Sequence, residues 1–178
     1  AVTWLLQQQE INTLNEKKIE DALKNLNLDL QVSKTGVQNI LLNNQNITNE
    51  IRSPEITEKV PLIAAQGIVR EILTKQQKEF GLNGGLVAEG RDIGTTVFPD
   101  AELKIFLTAS AKERACRRSQ DLNSRGFKVP NLLELENQIK ERDEIDSKRE
   151  IAPLIKANDA QELITDGMGI EDVIETLI

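Results

Sequence analysis

Three groups of residues in this chain pair charge with glycine or with helical spacing in ways that suit phosphate chemistry. The first is Glu89-Gly90-Arg91-Asp92-Ile93-Gly94-Thr95, an Arg–Asp pair framed by two glycines just past the apolar run Leu86-Val87-Ala88. Arginine offers a planar fork of donors that matches a phosphate, so Arg91 is a phosphate holder. Asp92 is an acceptor for an exocyclic amine on a base, and Glu89 is a carboxylate able to order metal-bound waters. The same string also fits a strand-end turn with a local salt bridge. The second group is Arg142-Asp143-x-x-Asp146-x-x-Arg149. Positions 142, 146 and 149 share one helical face, so a carboxylate between two arginines can take a sugar hydroxyl while the arginines take phosphate. An ion-pair ladder along a helix has the same spacing. The third is Arg114, Arg117 and Arg118 on adjacent turns. Three like charges there fit a flap closing over polyphosphate or a solvated helix face.

The composition narrows the chemistry. The chain has 178 residues, no histidine, one cysteine (Cys116) and a net charge of −7. Histidine-based triads and histidine metal sites are excluded, and so is an internal disulfide, which fits a reducing compartment. The acidic balance argues against broad nucleic-acid binding. No apolar run approaches the roughly 20 residues of a membrane span, and no signal-peptide pattern opens the chain. Seven of the nine arginines lie between 91 and 149. Such clustering in an acidic protein points to a local anion site or to helix-surface ion pairing.

These residues need elements to hold them. Ala1 to Leu6 is helical in pattern but uncapped, as if the chain began inside a helix. Thr13-x-x-Glu16 reads as a capping box for a helix running through Ile19, Leu23 and Leu26. Leu28, Leu30 and Val32 alternate as a strand, Ser33-Lys34-Thr35-Gly36 is a turn, Val37 to Leu42 is a second strand, and Asn43 to Asn46 is a further turn. Ser53-Pro54 opens a long helical region bent at Pro61 and reaching Phe80. Leu86-Val87-Ala88 and Leu103 to Leu107 read as buried parallel strands. Ser110-x-x-Glu113 and Asn131-x-x-Glu134 cap the next two helices, the second running to Arg149. Leu163-Ile164-Thr165 is a last strand, and Ile170 to Ile178 a closing helix. The order is that of an α/β layered fold, with only three parallel strands visible.

GLVAEGRDIGTTVFPDAELKIFLTAS followed by KERACRR resembles the signature of bacterial cytidylate kinases. IKERDEIDSKREIAPL, GIEDVIETLI and NITNEIRSPEI resemble the same family in the same order, so the likeness covers nearly the whole chain. The resemblance implies a P-loop nucleoside monophosphate kinase fold, a parallel sheet flanked by helices, as a single domain over 1–178. It further implies a small antiparallel β insert at 27–50 that binds substrate and a lid at 111–130. It implies transfer of the ATP γ-phosphoryl group to CMP or dCMP, giving ADP and CDP or dCDP, with Mg²⁺. Carried over by position, Arg70 and Asp92 contact the cytosine, and Arg91 and Arg149 hold the CMP phosphate, with Gly90 and Thr95 beside them. Arg142 and Asp146 reach the ribose and the transferring phosphate. Arg114, Arg117 and Arg118 belong to the lid and its helix, with Arg117 and Arg118 on the ATP side. Glu89 serves the metal through water, where aspartate is usual, and Pro61 stands where a base-contacting serine is common.

In that family a P-loop, a strand and a D-[ST]-G-A-x-Y-R segment precede the first helix seen here. No G-x-x-x-x-G-K-[ST] string occurs in these residues. The expectation is therefore a sheet short of about two strands and a chain that by itself transfers phosphate poorly. The alternatives are a kinase for UMP or AMP, or a non-catalytic nucleotide-binding module. The resemblance also implies a monomeric, cytoplasmic protein without nucleic-acid or membrane partners, in some bacteria fused to pantoate–β-alanine ligase.

Overall fold

A computed structural model describes residues 1–33 and 36–178 and divides into two compact units, 1–86 and 87–178. The Ser33–Gly36 turn lies partly outside the described residues.

The first unit is helical with a small sheet. Helix α1 (Val2–Gln8) buries Val2, Leu5 and Leu6, the spacing of one helical stripe. Helix α2 (Glu16–Leu23) is capped by Asn15, whose side chain accepts from Lys18 N at 3.1 Å. The expected Thr13 capping box is therefore displaced by two residues, because Asn15 is the residue whose oxygen reaches a free N–H of the first turn. Leu26 lies beyond the helix end and packs from the following loop.

Strands β1 (Leu28–Val32), β2 (Gln38–Leu42) and β3 (Gln45–Asn46) form an antiparallel sheet with Leu28 opposite Leu42 and Leu42 opposite Gln45. The final turn tightens to Asn43-Asn44, both with positive φ, which asparagine tolerates. That frees Gln45 and Asn46, expected in the turn, to pair as β3.

The long helix expected to bend at Pro61 is two helices instead: α3 (Pro54–Ala64) and α4 (Gly67–Gly81). Ser53 caps α3 by accepting from Ile56 N. Pro61 sits inside α3, and the break falls at Ala65-Gln66, where Gln66 is extended and its amide donates to Thr13 O at 2.7 Å. Leu6, Ile19, Leu42, Ile47 and Val69 close the core of this unit. Each such burial contributes about 1.5–3 kcal/mol.

The second unit carries the parallel pair. Strand β4 (Ile105–Thr108) runs beside β5 (Gln161–Ile164), with Leu107 opposite Leu163. Between them come α5 (Ala111–Ser124) and α6 (Leu132–Lys148), and α7 (Ile170–Leu177) follows. A parallel pair joined through helices makes the fold α/β. The expected strand at Leu86–Ala88 is not formed. It pairs with no strand among the described residues, and Val87 is 99% exposed. An apolar run becomes a strand only when a neighbour takes its backbone N–H and C=O groups.

Helix α5 is capped by Ser110 Oγ, which accepts from Glu113 N at 3.1 Å, while Ser110 N donates to Asp166 Oδ2 at 2.9 Å. Asp166 thus takes the place the capping box assigned to Glu113, whose carboxylate pairs with Arg117. The α5 end is a Schellman turn: Phe127 N reaches Leu122 O, Gly126 N reaches Asn123 O, and Gly126 has φ +73°. Asn131 caps α6 by accepting from Glu134 N at 2.8 Å.

Candidate active site

The helical spacing of Arg142, Asp146 and Arg149 is realised at the end of α6. Asp146 is only 3% exposed. Its Oδ1 accepts from Arg149 Nη1 at 3.1 Å, and its Oδ2 lies 2.8 Å from Arg91 Nε and 3.8 Å from Arg142 Nε. Arg149 caps α6 in an extended conformation and is buried in turn. Its Nε donates to Ala152 O at 2.5 Å and its Nη2 to Asp92 Oδ1 at 3.4 Å. The chain then folds back so that Leu154 N donates to Asp146 O at 2.8 Å. Ala152, at φ +49°, makes the bend, a conformation that costs a non-glycine residue about 1 kcal/mol. Arg91, Asp92, Arg142, Asp146 and Arg149 are therefore brought together as expected.

The electrostatics of this group are unbalanced. Asp146 Oδ2 and Arg142 Nε are buried yet make no hydrogen bond. Burial, then the like charge of Arg91, lowers the Arg142 pKa from its ordinary value, against the pull of Asp146 and Asp143. A hydroxyl can give to the carboxylate oxygen while accepting from the guanidinium.

The three arginines of α5 separate. Arg114, in the first turn of α5, forks onto Asp143 (Nη1–Oδ1 3.0 Å, Nη2–Oδ2 2.6 Å), and Arg91 Nη1 reaches the same Oδ1 at 3.2 Å. Burial raises the Asp143 pKa, but the hydrogen bonds and charge of Arg114, then Arg91, outweigh it and hold the carboxyl below its ordinary range. Arg118 pairs with Asp121 at 3.3 Å on its own helix, within electrostatic reach of Arg142. Arg117 goes elsewhere. It donates to Thr165 Oγ1 at 3.0 Å, Thr165 O at 2.5 Å and Met168 O at 3.4 Å, while Glu113 takes its Nε. It is a strut between α5 and the turn after β5, not a member of the arginine group.

Gly90 and Thr95 support the Arg91 turn. A Cβ on Gly90 would lie 2.7 Å from Ile93 Cγ1, so glycine lets Ile93 begin the wide π turn Ile93–Val97. Thr95 Oγ1 reaches Asp92 O at 3.4 Å. Glu89 is exposed. Arg70, in the first unit, donates from Nη1 to Ala64 O at 3.1 Å.

Asp143 and Thr165 escaped sequence reasoning as contributors. Asp143 stood in the Arg142 motif without a role. Its partner Arg114 is 29 positions away, and no local period links them.

The comparisons with known proteins agree with the resemblance. The family model described as cytidylate kinase matches residues 1–178. The chain belongs to the cytidylate kinase family. It is 64% identical over its whole length to a bifunctional pantoate ligase/cytidylate kinase of Prochlorococcus marinus (strain SARG / CCMP1375), covering 34% of that protein. It is 58% identical over its whole length to the protein of the same name from strain MIT 9303, covering 36% of it. Against that of Synechococcus sp. (strain WH7803) it is 55% identical over 99% of its length, covering 36%. The chain thus spans about a third of the length of the curated relatives it matches.

The resemblance to this family implies Mg²⁺ with ATP. Among the described residues no three His, Cys, Asp or Glu side chains gather to hold a metal ion. Magnesium keeps most of its waters and needs only one or two carboxylates beside nucleotide phosphates, so the exposed Glu89 fits a water-mediated role. When bound, the ion neutralises phosphate charge. Among the described residues no helix is long and apolar enough to cross a membrane.

Proposed function

We propose that this chain is the acceptor-binding part of a cytidylate kinase, a P-loop nucleoside monophosphate kinase that passes the γ-phosphoryl group of ATP to CMP or dCMP. The observation that carries the reading is the Arg91–Asp146–Arg149 group around a buried carboxylate, in which Asp146 Oδ2 and Arg142 Nε make ion pairs but no hydrogen bond. Arg91 and Arg149 bind the phosphate of the acceptor. Asp146 and Arg142 take the ribose hydroxyls. Asp92, steadied by Arg149, accepts from the cytosine amine. Arg114 and Arg118 neutralise the transferring group, and 111–130 serves as the lid. The attacking phosphate oxygen is already anionic, so no general base is needed. Positioning and charge neutralisation do the work, which suits a chain without histidine.

The donor cradle of glycine-rich backbone and lysine is not encoded in these 178 residues, so this polypeptide alone binds acceptor without efficient turnover. The named relatives support a further reading, that the full-length protein joins this part to a pantoate ligase.

Calorimetric titration of the folded chain with CMP, UMP and AMP tests the proposal. CMP should bind at least tenfold more tightly than UMP, about 1.4 kcal/mol. Equal binding of UMP would dismiss the role of Asp92, and no CMP binding by a folded chain would dismiss the acceptor site.

A further inference from the structure

The one member of the arginine group to which the proposed reaction gives no work is Asp143. Both of its oxygens are taken: Arg114 forks onto it through Nη1 and Nη2 at 3.0 and 2.6 Å, and Arg91 Nη1 adds a third bond at 3.2 Å. This is the geometry with which a guanidinium binds a phosphate. The carboxylate also differs from its neighbour. The Asp146 side chain is 4% exposed and closed in by α6 and its return loop, whereas that of Asp143 is 27% exposed, with Arg114 and Arg91 exposed to a similar degree. The Asp143 assembly thus borders solvent, unlike Asp146.

We infer that Asp143 is a resident anion that occupies the phosphate-binding donors of Arg114 and Arg91 in the nucleotide-free chain and yields them to an arriving phosphate. This rests on the proposed function for the nature of the ligand, but the competition itself concerns any phosphate anion. Asp143 is thus a positioning residue. It keeps the α5 arginine ordered and charge-matched while the site is empty, and it lowers affinity for phosphate by the strength of the pair that must break. A tether that only shaped the site would have the opposite effect when removed, since its loss would loosen both arginines.

The test uses the whole chain, with inorganic pyrophosphate and CMP as separate probes in calorimetry. Asp143→Asn should bind pyrophosphate three- to tenfold more tightly than the wild type, and Asp143→Glu, which keeps the charge, should stay near it. Unchanged or weaker binding by Asp143→Asn overturns the inference, as does absence of pyrophosphate binding by both proteins. Tighter pyrophosphate binding without CMP binding keeps the inference and sinks the cytidylate reading; the reverse pattern does the opposite. A readout on the wild type covers a variant that fails to fold. The guanidinium ¹⁵N resonance of Arg114, assigned by its loss in Arg114→Lys, should shift as pyrophosphate is added, and a resonance that stays fixed through saturation overturns the inference.

Discussion

Two aspartates three positions apart on α6 do different work because they differ in burial. Asp146 neutralises Arg91, Arg142 and Arg149 from inside the fold. Removing it takes from Arg91, Arg142 and Arg149 their shared buried carboxylate, leaving Arg91 to Asp143 and Arg149 to Asp92, and breaking a buried pair typically costs about 3–5 kcal/mol. Asp146→Ala should therefore melt far below the wild type, and melts in phosphate rather than chloride buffer should recover part of the loss, because the anion replaces the missing charge. Asp143 lies nearer solvent, and its carboxyl is held below the ordinary range by Arg114 and Arg91 against the effect of burial. A lowered folded pKa means that its contribution to stability is complete above the unfolded value, about 4, and is lost as pH falls through the folded value. In urea unfolding the wild type should exceed Asp143→Asn by about 1 kcal/mol at pH 7, and the gap should close as the pH drops below 4. A gap that persists at pH 2 would show that the pair has another origin.

At the scale of elements, α5 is the piece on which the site depends. It carries Arg114 and Arg118 toward the arginine group and Arg117 toward the turn after β5. Its start is set by Ser110, which caps the helix and is itself tied to Asp166. Asp166 accepts from the Ser110 side chain and its N–H, and these hydrogen bonds, with a lesser part from the charge of Arg117, lower its pKa against the opposing desolvation. Ser110→Ala should cost about 1 kcal/mol in thermal or urea unfolding. Because Arg114 lies in the first turn, the same variant should also weaken pyrophosphate binding. Loss of stability with unchanged binding would show that the first turn is held by its other contacts.

At the scale of the whole molecule, the two units are built on different physics. The unit from 1 to 86 closes over a continuous apolar core, whereas that from 87 to 178 has a small apolar cluster around Ala115, Leu122 and Leu135 beside its ionic group. Apolar side chains along its backbone remain exposed, including Val87, Leu107 and Ile164. In a coupled assay with ATP and CMP, the 178-residue polypeptide should give no turnover above background. Turnover at the rates usual for kinases, roughly 1–100 per second, would show that donor binding needs no P-loop string here.

Much of the site was legible in order because it is local. Arg142, Asp146 and Arg149 fall on one face by helical period alone, and Gly90-Arg91-Asp92 is contiguous, so the grouping was readable from spacing, while the family was legible in the longer strings that resemble it and is shown by the family model. Capping by Ser53, Ser110 and Asn131 was equally local, each depending on one side chain and a backbone N–H three residues on. What only the tertiary structure decided involves partners distant in sequence. Arg114 finds Asp143, Arg117 finds Thr165, and Asp166 displaces Glu113 at the Ser110 cap. Leu86–Ala88 has the composition of a strand yet is not one, since strand formation depends on a neighbouring backbone and not on the residues of the run itself. Sequence periodicity reports which face a side chain shares; which charge meets it from another element depends on how the chain packs.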